Sequence, residues 1–344
     1  MKVLISAFER SANIHLAEIL KHIKIEPIGI FDKTLGNPLI DLQSLSIMGF
    51  LDVLKKIPLF LELQNEMLSL AKYADKVLLI DSSGFNLPLA KKIKKRYPNK
   101  EIIYYILPQA WAWRKNRIKI LEKNIDKLCS ILPFEKNYYS KNAPIEYVGH
   151  PLLDEIKYFK EKPTKSDIIA FLPGSRKSEI KKLMPIFKRV RENIDKKAIL
   201  VIPKHFNKDE IENIYGDIKD FKISHNAHKT LFEAEFAFIC SGTATLESTL
   251  IGTPLALTYI AKPIDYFIAK NLVNLEYVGL ANIFAKEINI EKIHPEFIQN
   301  SVTSHNLIEC YKNFNKEEFF ENSLKIREYL KHGSAKRVAQ IIKG

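Results

Sequence analysis

Only three cysteines occur in the 344 residues, Cys129, Cys240 and Cys310, and none stands in a CxxC or zinc-ligand spacing. That excludes a disulfide framework and makes a reducing cytosol the expected setting. No G-x-G-x-x-G follows the first strand-like run and no G-x-x-x-x-G-K-[ST] occurs anywhere, which argues against a dinucleotide enzyme and a P-loop NTPase. The nine histidines stand singly, without HExxH or another ligand spacing, so no metal site is expected. No apolar run is long enough to span a bilayer, and any membrane association is expected to be peripheral. The chain opens directly on a strand, Lys2 to Ser6, with no signal-peptide pattern before it. Repeats and low-complexity segments are also missing.

What is present is charge and alternation. The formal net charge of +13 calls for an anionic partner, such as nucleic acid, an anionic membrane surface or phosphorylated substrates. Much of the excess is lysine scattered among Ile and Asn. It forms no stripe, so nucleic acid is not expected. The length suggests two domains. Short apolar runs alternate with amphipathic helical stretches: Lys2 to Ser6, Ile25 to Ile30, Lys76 to Ile80, Ile102 to Ile106, Lys127 to Ile131 and Ile145 to Val148 in the first half. After the basic segment Lys160 to Asp167, a candidate linker, the alternation restarts. It runs through Ile168 to Leu172, Ala198 to Ile202, Phe221 to Ile223, Phe236 to Cys240, Pro254 to Ile260 and Gly279 to Phe284. Two helices close the chain. The pattern predicts an α/β protein of two Rossmann-like, doubly wound domains, residues 1–160 and 167–314. A terminal helical segment, residues 315–344, could pack back on the first domain.

Two turns carry the strongest chemical signal. Leu172-Pro173-Gly174-Ser175-Arg176 and Ser241-Gly242-Thr243 each follow a strand and open a helix. Backbone N–H groups at a helix N-terminus can cradle phosphate, and Arg176 adds a fixed charge. An ordinary helix cap at each turn is the alternative. In the first half Glu9 follows the first strand and Asp81 ends another, where a carboxylate can accept a proton from an incoming hydroxyl or merely cap a helix. Trp111 and Trp113, the only two tryptophans, stand beside Arg114 and Arg117; sugar stacking and core packing both suit them. The stretch Ile47 to Leu70 carries more apolar side chains than one core-facing stripe needs, with Lys55 and Lys56 among them. Insertion at an anionic leaflet through Phe50, Leu51, Leu54, Lys55, Lys56 and Phe60 is weighed against two buried helices.

The motifs SIMGFLDVL (46–54), WAWR (111–114), LPFEK (132–136), GHP (149–151), LPGSR (172–176), SGTATLE (241–247) and YVGLAN (277–282) resemble, in order, those of the lipid-A-disaccharide synthase family. These are inverting glycosyltransferases of the GT-B fold, in which two Rossmann-like domains face a central cleft. The resemblance implies transfer of 2,3-diacylglucosamine from UDP-2,3-diacylglucosamine to 2,3-diacylglucosamine 1-phosphate, with release of UDP and no cofactor. It implies a peripheral position on the inner face of the inner membrane. Asp81 is then the base, with Glu9 as alternative or orienting group, and Glu247 holds the ribose. Gly174, Ser175, Arg176, Ser241, Gly242, Thr243, Asn282 and Gln299 lie at nucleotide positions, while Ser11, Asn86, Trp111, Trp113 and Arg114 face the acceptor sugar. The first loop departs from the family's Gly-Glu-x-Ser-Gly-Asp: Phe8 and Ala12 replace the glycines and Asn13 the aspartate. A UDP-sugar 2-epimerase of the same architecture and a non-catalytic lipid- or nucleotide-binding homologue are the alternatives.

Overall fold

The structure, a computed structural model, describes residues 1–41, 57–113, 115–261 and 276–344. The chain forms two compact units. One is Met1–Glu155 together with Leu330–Gly344, and the other is Ile156–Tyr329.

The first unit is built on β1 (Lys2–Ser6), β2 (Glu26–Phe31), β3 (Ile40–Asp41), β4 (Lys76–Ile80), β5 (Glu101–Tyr105), β6 (Lys127–Ser130) and β7 (Ile145–Tyr147). They pair in parallel in the order β3-β2-β1-β4-β5-β6-β7. Helices cover both faces, which is why the central strands read as unbroken apolar runs rather than alternating ones. Val3, Leu4 and Ile5 of β1 and Val77, Leu78, Leu79 and Ile80 of β4 are all fully buried. The strand order reverses direction between β1 and β4. At such a switch point the flanking helices diverge and leave a crevice at the carboxyl ends.

The second unit repeats the plan with β8 (Ile168–Leu172), β9 (Lys197–Val201), β10 (Lys222–Ser224), β11 (Phe236–Cys240), β12 (Leu255–Tyr259) and β13 (Glu296–Ile298). The order is β10-β9-β8-β11-β12-β13, again parallel, with its switch point between β8 and β11. Its core is aromatic. Phe171 stacks on Phe238 with centroids 5.3 Å apart and meets Phe187 and Phe221 edge-on.

Three features differ from the sequence reading. Gly279 to Phe284 is not a strand: Leu280–Glu287 is a helix, because its buried positions, Ala281, Phe284 and Ala285, follow helical spacing. The strand at that sheet edge is β13, too short and too bounded by polar residues to stand out. Lys160 does not begin a solvated linker. It is buried, its ammonium donates to the carbonyl of Ala234, and its own carbonyl accepts from Arg327. Arg327 also donates to the carbonyls of Leu250 and Ile251, capping the helix Thr243–Ile251, and lies over the ring of Phe159. Finally, the two closing helices part company. All of Lys316–Leu330 but its last residue belongs to the second unit, while Ser334–Lys343 buries Ala335, Val338, Ala339 and Ile342 in the first.

Candidate active site

In the first unit β1 and β4 end side by side, and the residues just beyond them form a carboxyl pair. Asp81 and Ser82 both take left-handed backbone conformations (φ 51° and 44°), costly for residues with a Cβ. The surroundings force them. Asn86 Nδ2 donates to the carbonyls of Ile80 (3.2 Å) and Asp81 (2.7 Å), and Tyr104 Oη donates to the same Asp81 carbonyl at 2.6 Å. Ser6 Oγ in turn donates to Asn86 Oδ1 at 2.6 Å. Ser82 Oγ donates to Glu9 Oε1 at 3.1 Å, linking the two strand ends.

Both carboxyls lie above the usual range. For Asp81 the cause is burial, opposed by the Ser82 backbone N–H and the charge of His15. Glu9 is exposed at its outer edge, yet the protein beneath strips water from one side of its carboxyl; repulsion from Asp81 adds to the rise and the Ser82 hydroxyl opposes it. Partly buried carboxyls held above the usual range at adjoining strand ends are candidates for proton transfer.

The altered first loop has a structural explanation. Asn13 Nδ2 donates to the carbonyls of Ala7 and Glu9, both at 2.8 Å, while its Oδ1 accepts from the Asp32 amide at 2.7 Å. Asn13 therefore locks the turn that presents Glu9. Phe8 turns into the core against Phe60 and Phe85. Ser11 is exposed in the first turn of the helix Arg10–Leu20.

Several residues expected at the acceptor sugar are elsewhere. Asn86 is fully buried and bonded to backbone, so it shapes the Asp81 turn instead of touching a ligand. Trp111 is packed edge-on against Phe134 at 4.9 Å and touches Tyr138, which leaves no open face for a sugar. Trp113 ends the short helix Ala110–Trp113; Arg114 lies outside the described residues. Of the membrane-contact residues, Phe50, Leu51, Leu54, Lys55 and Lys56 lie outside the described residues. Phe60 is described and is turned inward, 5.1 Å from the ring of Phe85. The outer face of its helix, Ile57–Leu70, carries Leu61, Glu62, Asn65 and Glu66, an acidic surface ill suited to an anionic leaflet. Among the described residues no helix is long and apolar enough to cross a membrane.

The second unit brings its two turns together. A cavity of about 390 Å³ at the β8/β11 switch point is lined by Gly174, Ser175, Arg176, Ser241, Gly242 and Thr243. The helices Lys177–Glu192 and Thr243–Ile251 both point their N-termini at it. Their first N–H groups have no partner within the helix, and the helix dipole adds positive potential. Gly174 is required there: its φ is +103°, and a Cβ would come 2.8 Å from Glu179 Oε2 and 3.2 Å from Cys240 Sγ. Arg176 stands at the mouth, 77% exposed, and pairs with Glu179 at 3.0 Å. Only the arginine end of the pair is in solvent, the Glu179 side chain being 13% exposed, so the guanidinium is the end that can swing to a diphosphate. Burial, and then the Glu179 carboxylate, push the Cys240 thiol up to about 12, which makes it an inert wall.

Glu247 lies one turn into the helix and already has a neighbour, His228 Nε2, at 3.3 Å. Gln299 follows β13 with a left-handed backbone (φ 55°), half-buried. Asn282 does not line a ligand site. It is fully buried, donates to His294 O and Glu296 Oε1, and accepts from the amides of Ile293 and His294, so its amide is spent on holding the β13 edge. Sequence reasoning missed Glu179 and His225, which also line the cavity. An acidic residue three positions after Arg176 was the available signal for Glu179.

Comparison with known proteins identifies the family and the fold. Residues 3–342 match the family model described as lipid-A-disaccharide synthetase. A lipid-A-disaccharide synthase of Helicobacter pylori (strain J99) is 51% identical over 355 residues, covering 98% of this chain and 97% of the relative. One from Campylobacter jejuni (strain RM1221) is 47% identical, covering 98% of each. Among solved structures, the UDP-GlcNAc 2-epimerase of Neisseria meningitidis bound to UDP-GlcNAc superposes with a TM-score of 0.61 at 14% identity, covering 100% of both chains. The calicheamicin glycosyltransferase CalG4 gives 0.62 at 10% identity, covering 99% of this chain and 97% of its own. These two carry the fold alone, the two-domain GT-B type. The chain belongs to the lipid-A-disaccharide synthetase family of glycosyltransferases.

Proposed function

We propose that this protein transfers 2,3-diacylglucosamine from UDP-2,3-diacylglucosamine to the 6-hydroxyl of 2,3-diacylglucosamine 1-phosphate. The products are the β-1,6-linked disaccharide 1-phosphate and UDP. The observation that carries the reading is the 51% identity, over nearly the whole chain, to a relative named for this activity.

In this reading the cavity of the second unit takes the donor. The amides of Gly174, Ser175, Ser241, Gly242 and Thr243, with the Arg176 guanidinium, hold the diphosphate; Glu247 takes the ribose and Gln299 the nucleotide edge. The acceptor oxygen attacks the anomeric carbon as the bond to the diphosphate breaks and its electron pair leaves on UDP. Asp81 receives the hydroxyl proton, with Glu9 orienting the acceptor and Ser11 beside it. Charge on the departing diphosphate is met by fixed dipoles and a cation, the usual source of most transition-state stabilisation. The strained Asp81 turn, held in place by Asn86 and Tyr104, supports the base assignment. We place the protein at the inner face of the inner membrane, held by the stretch that includes Phe50, Leu51, Leu54, Lys55 and Lys56.

The test is incubation of purified protein with both lipids in detergent. Disaccharide and UDP should appear together, and only when the acceptor is present. UDP release without acceptor, or no disaccharide at all, contradicts the proposal.

A further inference from the structure

Most of the protein's excess charge sits on the first unit. That unit holds 27 Lys and Arg against 17 Asp and Glu, a net +10, while the second holds 26 against 23, a net +3. Nearly all of the first unit's excess lies in residues 83–127, with twelve Lys and Arg against three Asp and Glu. This segment includes the helices Ser83–Arg96 and Asn116–Asn124, which pack side by side. Their inner sides bury Phe85, Leu89, Ile93, Ile118 and Leu121 in one core. Their outer sides present Pro88, Lys91 and Lys95 from the first helix and Lys119, Ile120 and Lys123 from the second, all exposed.

The three carboxylates of the segment are committed elsewhere. Glu101 pairs with Lys76 at 2.9 Å, Asp126 pairs with Lys94 at 2.7 Å, and Glu122 accepts the Ser140 amide at 2.7 Å. Among the described residues, Lys91, Lys95, Lys119 and Lys123 form no ion pair, so four ammonium groups face water together. Helix dipoles do not account for the pattern. They favour Lys94, Lys95 and Arg96 at the end of the first helix, but oppose Lys115 and Arg117 at the start of the second. A face of like charge kept against that repulsion fits an anionic surface that neutralises it. We infer that this two-helix face docks on an anionic phospholipid bilayer, with the four lysines among the headgroups. Neither helix turns an aromatic ring outward on which a nucleic-acid base could stack, whereas the apolar members, Pro88 and Ile120, suit the headgroup boundary. The inference rests on the proposed function for its setting, since both substrates there are lipids. It assigns the electrostatic contact to a surface separate from the stretch that includes Phe50 and Lys55, and from the acidic outer face of Ile57–Leu70.

The experiment floats the whole chain with vesicles of phosphatidylcholine alone and of phosphatidylcholine mixed with phosphatidylglycerol. The wild type should bind the mixed vesicles more tightly and leave them as salt rises. A variant combining Lys91→Gln, Lys95→Gln, Lys119→Gln and Lys123→Gln should partition about a hundredfold less or lower, at about fivefold per lysine. A control combining Lys197→Gln, Lys222→Gln, Lys292→Gln and Lys325→Gln removes the same charge from exposed positions of the second unit and should bind as the wild type does. All three proteins should melt alike and form disaccharide equally in detergent. Wild-type partition by the first variant, an equal loss in the control, or a wild type that binds a single-stranded oligonucleotide but no vesicle overturns the inference. A wild type that binds mixed vesicles yet makes no disaccharide in detergent defeats the functional reading instead, so the two failures are distinguishable.

Discussion

Tyr104 Oη donates to the carbonyl oxygen of Asp81 at 2.6 Å, so the core of the first unit reaches through β5 to fix the turn at the end of β4. That oxygen is shared with Asn86, and the two donors together hold consecutive left-handed residues. Tyr104→Phe removes one donor at nearly constant volume. It should cost about 1 kcal/mol of stability, the worth of an ordinary hydrogen bond, and lower kcat several-fold while leaving UDP affinity unchanged. Asn86→Ala should cost more, about 1–3 kcal/mol, because buried carbonyls and the Ser6 hydroxyl lose their partner. Chemical denaturation and steady-state kinetics check both.

Gly174→Ala tests the donor cavity. The added methyl meets Glu179 and Cys240 and the backbone there is left-handed, so the loop must shift away from phosphate-binding geometry. UDP affinity should fall by about tenfold or more, each tenfold being about 1.4 kcal/mol, while far-ultraviolet dichroism stays that of the wild type. Isothermal titration with UDP decides it, and unchanged affinity removes this turn from the diphosphate site.

Arg176→Ala should raise the donor KM and lower kcat. Stability should change by about 1 kcal/mol, since only the arginine end of the Glu179 pair is in solvent. Donor-concentration series and a melting curve read the two effects separately.

Glu135 gives a pH prediction independent of catalysis. It is buried with one oxygen accepting from Ser130 Oγ and the other without a partner among the described residues, and burial raises its carboxyl to about 7. The folded state therefore binds a proton more tightly than the unfolded chain. Its contribution to stability is fully present below the unfolded value near 4.5 and declines as pH rises towards 7, then stays flat. At about 1.4 kcal/mol per unit, the loss is on the order of 3 kcal/mol. Glu135→Gln should remove that decline. Melting temperatures of the two proteins should converge at pH 4 and separate by pH 8, with the variant higher.

Much of this was legible in the residues. Unbroken apolar strands such as Val77–Ile80 betray a sheet covered on both faces, and the Gly-Ser-Arg and Ser-Gly-Thr turns mark where two helices begin at one cavity. What one sequence does not display is which polar group is spent internally. Asn86, Asn282 and Trp111 look like ligand contacts, because a polar or amphipathic residue beside a motif reads the same whether its partner is substrate or backbone. Their burial and bonding tell the difference. Gly279 to Phe284 misled for a different reason: a short apolar run suits helix and strand equally, and only the packing at Ala281, Phe284 and Ala285 decides. Likewise, the pairing of His15 with Glu155 joins residues 140 positions apart, and no spacing rule reaches it.

The central claim is that a carboxylate at the end of β4 takes the acceptor's proton. Comparing Asp81→Asn with wild type in the two-lipid assay, alongside UDP titration, tests it most directly. Expected is a fall in kcat of roughly 10²–10⁴, the usual weight of a general base, with UDP affinity unchanged. At pH 7 the variant should be no less stable than the wild type, because it removes a charge whose burial is unfavourable. Wild-type turnover from Asp81→Asn would contradict the account.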